Sequence, residues 1–293
     1  MQIEITGLQK CYGGNAVLKD ISLTIENGMY GLLGRNGAGK TTFMRILSTL
    51  LKPSGGKITF DRIPLEDTKR IRPLIGYLPQ EFSLYPDMSV WETMGYLAAM
   101  SKLPKEIQRE RIPYLLQQVN LWEHRKSKVR KLSGGMKRRL GIAQALLNNP
   151  KVLIVDEPTA HLDPEERLRF YNLLDEFSSD RIVIVSSHIV ADMESVCAKV
   201  AVLDAGQLLY AGAIEKLAET ARGKVYELMI PKKELAAAKQ NYCILSSQGH
   251  LSDTKIRVLA DRVPAVGCPV SCTPTVCDGY MELLRLLEKG AKL

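Results

Sequence analysis

Apolar and polar positions alternate in short bursts over the first 33 residues: Ile3 and Ile5, then Val17 and Leu18, then Ile21, Leu23 and Ile25. A period of two predicts strands, and the pairs Gly13-Gly14 and Asn27-Gly28 supply the turns between them. The apolar run 29–33 is a further strand ending in a glycine-rich stretch. Beyond it Phe43, Ile46, Leu47, Leu50 and Leu51 fall on one face at helical spacing, until Pro53 and Ser54-Gly55-Gly56 stop the helix. Residues 57–60 form a short strand, and 75–78 form another that delivers Gln80 into a loop. The texture then turns helical. Ser89-Val90-Trp91-Glu92 is a capping box opening a helix with Val90, Trp91, Met94 and Leu97 inward. Helical patterning continues to residue 119, with Pro113 set to kink or end the second stretch. Met136, Leu140, Ala143, Leu146 and Leu147 carry a third helix, ended by Asn148-Asn149-Pro150. Residues 81–148 therefore read as a mostly helical insertion within an α/β domain.

The continuous apolar runs 152–155 and 182–185 suit central parallel strands covered on both faces. Between them Asp163 caps a helix that opens on Pro164 and sets Leu168, Tyr171 and Leu174 on one face. Residues 199–203 and 207–210 predict a hairpin across Asp204-Ala205-Gly206, and 220–224 read as a linker. Past the linker, 225–230, 235–239, 243–246, 255–259 and 281–287 predict a small strand-and-helix domain. The expected organisation is a main α/β domain over 1–220 and a small α+β accessory domain over 221–293.

With 293 residues, 45% of them hydrophobic, the chain can bury a large core, which excludes a disordered polypeptide. The net charge of +8 suits nucleic acid or an anionic membrane surface. Part of that excess is Lys126, Lys128, Arg130, Lys131, Lys137, Arg138 and Arg139 in one stretch, which a solvated helical face explains equally well. No apolar run approaches the roughly 18 residues of a membrane span, and residues 1–5 alternate like a strand, so the expected location is cytoplasmic. Six cysteines then read as reduced thiols. Cys268, Cys272 and Cys277 cluster, but their spacing matches no common zinc pair and no histidine lies near.

The chemistry concentrates in Gly34-Arg35-Asn36-Gly37-Ala38-Gly39-Lys40-Thr41, which fits the phosphate-binding pattern G-x-x-x-x-G-K-[ST] between a strand and a helix. Backbone N–H groups wrap a triphosphate only where no Cβ keeps the main chain away, a demand met by Gly34, Gly37 and Gly39. The helix start turns its positive end toward the phosphates, Lys40 reaches the β and γ oxygens, and the Thr41 hydroxyl can hold Mg²⁺. Asp156 and Glu157 end the buried strand 152–155, where open α/β sheets bind their ligands. Neighbouring residues on a strand face opposite ways, so Asp156 can hold the Mg²⁺ shell while Glu157 polarises water. Three further positions stay open on their own residues. Tyr12 is a packing residue or a nucleotide contact, Ser133-Gly134-Gly135 an N-cap or a second phosphate nest, and His188 a structural histidine or a γ-phosphate contact.

Taken in order and spacing, Tyr12, the loop 34–41, Gln80, Leu132-Ser133-Gly134-Gly135, 152–157, Asp163 and His188 resemble the nucleotide-binding subunit of ATP-binding cassette (ABC) transporters over about residues 1–215. The resemblance implies a P-loop NTPase with an N-terminal β layer and a helical subdomain, hydrolysing MgATP. It further implies that Tyr12 stacks on adenine, Thr42 backs up the phosphate contacts, and Gln80 touches Mg²⁺ and water. Ser133 and Gly135, with Gly134 between them, would contact the γ-phosphate held by a second ATPase subunit in a head-to-tail homodimer or heterodimer. Asp163 would couple the two sites, and His188 would hold the γ-phosphate and water. Gly76-Tyr77-Leu78-Pro79-Gln80-Glu81, Leu84-Tyr85-Pro86 and the Pro274-Thr275 segment are similar to bacterial export systems whose membrane permease is a separate chain. In that branch the groove around 80–94 would take the permease, placing the subunit on the inner face of the membrane. His161 stands where the branch usually has glycine, and the acidic residue that the branch usually has near Cys277 is a second point of departure. The rival class, an ABC-type ATPase of ribosomes or DNA, is disfavoured by a single phosphate loop and the lack of a coiled-coil insertion, so no nucleic-acid partner is expected. A regulator without turnover is disfavoured by Glu157 and His188.

Overall fold

β1 (Gln2–Tyr12) and β2 (Asn15–Glu26) pair antiparallel, with Ile3 opposite Ile25 and Leu8 opposite Ile21. Strict alternation from Ile3 and Ile5 would turn Leu8 outward. Gly7, at φ 61°, and the register shift after Ile5 reset the phase, so all five of these apolar side chains are buried. β3 (Gly28–Leu33) leads into α1 (Lys40–Leu47), after which β4 (Gly55–Phe60) and β5 (Ile63–Pro64) complete a first sheet in the order β2-β1-β4-β5. Next come α2 (Thr68–Ile71), β6 (Ile75–Leu78), and the helices α3 (Val90–Met100), α4 (Lys105–Gln118) and α5 (Gly134–Ala145). β7 (Val152–Val155), α6 (Pro164–Glu176) and β8 (Ile182–Ser187) follow. β3, β8, β7 and β6 are parallel neighbours in that order, Val183 lying between Met29 and Leu153, and Ile154 beside Tyr77. Because the strands run the same way, Leu33, Leu78, Val155 and Ser187 all end on one edge, and the residues after them share a crevice.

This computed structural model describes residues 1–159, 162–249 and 252–290, so His161 lies outside the described residues. The chain divides into two units, Met1–His188 with Leu203–Leu208, and Ile189–Val202 with Leu209–Leu293.

Several helix expectations needed correction. α1 stops at Leu47 where periodicity ran on to Leu51: Thr49 turns to φ 61°, the N–H groups of Leu50 and Leu51 both bond the Arg45 carbonyl, and Leu50 is exposed. In α3 the buried stripe is Val90, Thr93, Met94 and Ala98, which turns Trp91 outward to meet Trp122 edge-on at 6.3 Å. Pro113 does not end α4. Ile112, Leu115 and Leu116 are buried on either side of it, and Arg111 clamps the helix by donating to the carbonyls of Leu146 and Leu147. Tertiary anchors thus outweigh the one lost backbone bond. In α6, Leu168 is exposed and Phe170, Tyr171, Leu173 and Leu174 are buried.

The second unit contains α7 (Val190–Val196), most of β9 (Lys199–Asp204) and β10 (Gln207–Ala213), α8 (Ile214–Leu217), β11 (Val225–Pro231), α9 (Leu235–Asn241), β12 (Cys243–Gly249), β13 (Asp253–Leu259), β14 (Val270–Ser271) and α10 (Val276–Glu288). Its own sheet runs β12-β13-β11-β14 over a core of Leu228, Ile230, Ile256 and Val258. Packing within this unit reaches across the linker expected at 220–224, because α10 folds back onto residues 214–221. Gly279 lies so close to Leu217 that a Cβ there would come within 1.9 Å of the Leu217 carbonyl oxygen, and Thr220 donates to both carbonyls.

α10 carries Glu282, fully buried, whose carboxylate accepts from Lys224 Nζ at 2.6 Å and from Arg285 Nε at 2.6 Å. Burial alone would push the Glu282 carboxyl up, but these two cations overcome it and hold it below the usual range. Asp278 is depressed in the same way against its burial, by Arg257 and the Thr275 cap. A carboxylate with a lowered folded-state pKa binds protons more weakly folded than unfolded, so the stability it confers is complete above its unfolded pKa of about 4. That stability disappears as the pH falls through the lower folded value. Arg285→Met, which leaves Glu282 with a single partner, is expected to destabilise this unit by about 3 kcal/mol. Urea unfolding at neutral pH checks this, and the gap between variant and wild type should narrow as both are taken from pH ~4 down through the lowered folded value, where the folded carboxylate at last takes up its proton.

Candidate nucleotide site

The loop after β3 is shaped by two glycines for different reasons. At Gly34 the limit is space, since a Cβ would lie 2.1 Å from the Leu203 carbonyl oxygen. At Gly39 it is both space and conformation: φ is 105°, and a Cβ would lie 2.7 Å from a Leu18 methyl. Gly39 also caps α1 without any side chain, whereas Ser89, Ser133 and Asp163 cap α3, α5 and α6 by accepting a backbone N–H. The first N–H groups of α1 are thereby left to a ligand. Arg35 braces the loop from outside, its guanidinium bidentate on Asp204 at 3.0 and 2.6 Å.

Lys40 is 5% exposed, and its ammonium donates to the carbonyls of Gly34 at 2.7 Å and Arg35 at 3.2 Å. It also lies 3.1 Å from Glu157 Oε1, while Glu157 Oε2 lies 3.4 Å from His188 Nδ1. The chain leaves β7 abruptly at this point: Glu157 sits at φ 42° and its N–H, no longer in the sheet, donates to Ser186 Oγ at 2.8 Å. Ser186 Oγ in turn donates to Asp156 Oδ1 at 2.7 Å. Asp156 is fully buried, and its Oδ2 has no hydrogen-bond partner among the described residues.

Residues 36–42, Val17, Gln80 and Glu157 line one cleft of about 390 Å³. The structure therefore unites the phosphate loop, Lys40, Thr41, Thr42, Gln80, Asp156, Glu157 and His188 in one neighbourhood. Tyr12 lies outside that lining, at the end of β1, half-exposed with Lys10 Nζ 5.0 Å from its ring centre. Ser133, Gly134 and Gly135 begin α5 and Asp163 begins α6, also outside the lining. Ser133 is occupied as an ordinary N-cap, accepting from Met136 N–H at 3.2 Å. Sequence reasoning missed Val17 and Ser186. The signal for Ser186 was there: a hydroxyl pair, Ser186-Ser187, closing a strand that is otherwise apolar.

The orphaned Asp156 Oδ2 tests whether a divalent cation fits. An unpaired, buried carboxylate oxygen is costly unless a donor or cation meets it. Together with the Thr41 hydroxyl and the Gln80 amide oxygen it offers hard oxygen ligands, the set that magnesium takes alongside substrate phosphates and water. The residues present fit the ion.

A parallel sheet whose strand ends present a glycine-cradled lysine, an uncapped helix start and paired carboxylates defines a P-loop nucleoside triphosphatase. The description "ABC transporter" matches residues 18–160. An uncharacterized ABC transporter ATP-binding protein of Bacillus subtilis, YxlF, is 37% identical over 232 residues, covering 79% of this chain and 77% of that one. Nod factor export ATP-binding protein I of Cupriavidus pinatubonensis is 36% identical over 224 residues, covering 75% of this chain and 69% of that one. Among solved structures, the ATP-binding cassette MJ0796, in a dimeric post-hydrolysis state bound to ADP and Pi, aligns with a TM-score of 0.65 at 25% identity, covering 72% of this chain and 98% of that one. The chain belongs to the ATP-binding family of ABC transporters. It binds ATP and is an ATPase of that family.

Lys40→Ala removes the only ammonium that the described residues bring to the cradle. It is expected to abolish turnover and weaken nucleotide binding by at least about tenfold, the scale of a lost hydrogen bond to a charged group. Titration with a fluorescent ATP analogue measures this, with an unchanged melting profile as the control for folding.

Proposed function

We propose that this chain is the ATP-hydrolysing subunit of an exporter, working as a head-to-tail pair of ATPase subunits beneath a separate membrane permease. The observation that carries the reading is the line Lys40–Glu157–His188 beside Asp156, which gathers a phosphate-binding cation, a base and a γ-phosphate contact at one end of the sheet. Glu157 lies between the Lys40 ammonium and the His188 imidazole in the free chain. Arriving phosphate oxygens compete with its carboxylate for Lys40, and a displaced Glu157 is free to accept a proton from water. The water oxygen bonds to the γ-phosphorus as the bond from that phosphorus to the β–γ bridging oxygen breaks, giving ADP and inorganic phosphate. His188, whose side chain is 45% exposed, reaches from the end of β8 to hold the departing phosphate. Magnesium, held through Thr41, Gln80 and Asp156, would neutralise charge on the β and γ oxygens.

The pairing of subunits rests on Ser133, Gly134 and Gly135 lying outside the lining of their own cleft, as groups that serve a neighbour's nucleotide would, with Asp163 and Tyr12 as the remaining family contacts. MJ0796, which is dimeric, supports it. Export is supported by the likeness to the Nod factor export protein. A transporter needs a path across the membrane, and among the described residues no helix is long and apolar enough to cross one. We therefore assign that path to a permease, with this chain on the cytoplasmic face. The permease docks at residues 80–94, where Ser89, Trp91, Glu92, Trp122, Arg125 and Lys128 line a cleft of about 500 Å³. That cleft is already built: the N–H groups of Val90 and Trp91 bond the carbonyls of Ser127 and Arg125, and the Arg125 guanidinium lies 4.4 Å from the centre of the Trp122 ring. Residues 1–220 act as the ATPase domain and 221–293 as an accessory domain.

Glu157→Gln tests the whole reading. The amide keeps the size of the side chain but cannot take a proton, so hydrolysis should fall by about a hundred- to ten-thousandfold while ATP binding persists. In size-exclusion chromatography with light scattering the variant should run as a monomer without nucleotide, as a dimer with ATP, and as a monomer with ADP. Retained turnover would remove Glu157 from its role. Lost turnover without dimerisation would replace the self-pairing with a different partner subunit.

A further inference from the structure

We propose that Ser186 is a positioning residue for the ATPase reaction, its hydroxyl setting both carboxylates at once. The inference rests on the reading of Asp156 as a cation ligand and Glu157 as the base. Ser186 is fully buried on β8, one residue past the last rung that β8 shares with β7, Val185 beside Val155. That offset is what allows it to act. β7 gives out at Val155, Asp156 N–H is bonded to the Leu78 carbonyl, and the chain turns at Glu157 into the left-handed region. The Glu157 N–H leaves the sheet there, with no carbonyl to meet it.

The directions of the two hydrogen bonds follow from valence. A backbone N–H can only donate, so the Ser186 oxygen is the acceptor at 2.8 Å, and the single hydroxyl proton goes to Asp156 Oδ1 at 2.7 Å. The first bond pins the Glu157 backbone at φ 42°, a conformation that is strained for a residue with a side chain. The Glu157 carboxylate is thereby aimed between Lys40 and His188. The second bond occupies Oδ1 of Asp156 and leaves Oδ2, buried and unpaired, as the oxygen available to a cation or its water. No apolar residue at 186 could do either job. Threonine keeps the hydroxyl, whereas alanine strands the buried Asp156 Oδ1 and the part-buried Glu157 N–H together.

Either a purely structural or a positioning role predicts that Ser186→Ala lowers the melting temperature, so the deciding measurements are others. ADP affinity with magnesium and with EDTA, and kcat and KM for MgATP, are to be measured on the full chain for wild type, Ser186→Ala, Ser186→Thr and Glu157→Gln. The expected result for Ser186→Ala is a kcat lower by about ten- to a hundredfold, the range of a lost hydrogen bond to an ionised group, with KM for MgATP raised by no more than the factor by which magnesium-dependent affinity falls. The magnesium-dependent gain in ADP affinity should shrink by about tenfold on the same grounds, while the affinity in EDTA stays at the wild-type value. Ser186→Thr should restore both. A folded Ser186→Ala with wild-type kcat and wild-type magnesium response overturns the proposal, as does a folded Ser186→Thr that restores neither. If Ser186→Ala does not fold, Ser186→Cys, a weaker donor of similar volume, takes its place with the same two criteria. Turnover surviving in Glu157→Gln would sink the base assignment alone, because the ADP measurements involve no hydrolysis and judge Ser186 through Asp156.

Discussion

Lys40 carries a full charge to a point where only 5% of its surface meets solvent, and a charge so placed is tolerated only with partners in position. Two loop carbonyls and the Glu157 carboxylate provide them, and much of the rest of the site follows from that need. Glu157 must come from a strand adjacent to the phosphate loop's own strand or one further on, and its chain must turn sharply to face the loop. The parallel register of β3, β8 and β7 satisfies the first requirement, and the left-handed turn at Glu157 the second. On the function proposed above, nucleotide binding would be an exchange of anions around a fixed cation: phosphate would replace carboxylate, and the replaced carboxylate would be the group needed for the next step.

Much of this was legible in the sequence because the phosphate loop is a local device. Gly34, Gly39 and Lys40 sit within seven residues of one another, and the strand before and helix after them have unmistakable periods. The buried runs 152–155 and 182–185 declared themselves as central strands by the absence of alternation. What escaped was decided by long-range packing. Trp91 looks like a core residue until Val90, one position earlier, takes the inward face. Leu50 continues a helical stripe that Thr49 has already broken, and Pro113 looks terminal until Arg111 and Ile112 hold the helix together across it. The packing around 214–221 escaped for the same reason, since nothing in that stretch announces that α10 returns to cover it.

Ser186 illustrates the limit most clearly. It touches residues 29 and 30 positions away in sequence, and its significance depends on β8 outlasting β7 at the shared edge. Its near neighbour His188 was singled out because histidine has conspicuous chemistry. A serine does not, and only the geometry of two bonds to two carboxylate-bearing residues distinguishes it from any hydroxyl at the end of a strand.

The edge-on pair of Trp91 and Trp122 has a spectroscopic side. The chain contains two tryptophans in all, and both line the one cleft at the start of α3, with the Arg125 guanidinium over the Trp122 ring. Tryptophan emission from this protein, excited at the red edge where its eleven tyrosines do not absorb, is therefore a signal from a single place, distinct from the cleft lined by the phosphate loop. A partner that enters between the indoles, or draws Arg125 off the ring, changes emission wavelength and quantum yield without any label being attached. Docking and nucleotide occupancy can thus be followed in one cuvette as separate optical channels, the second through a coloured or fluorescent nucleotide.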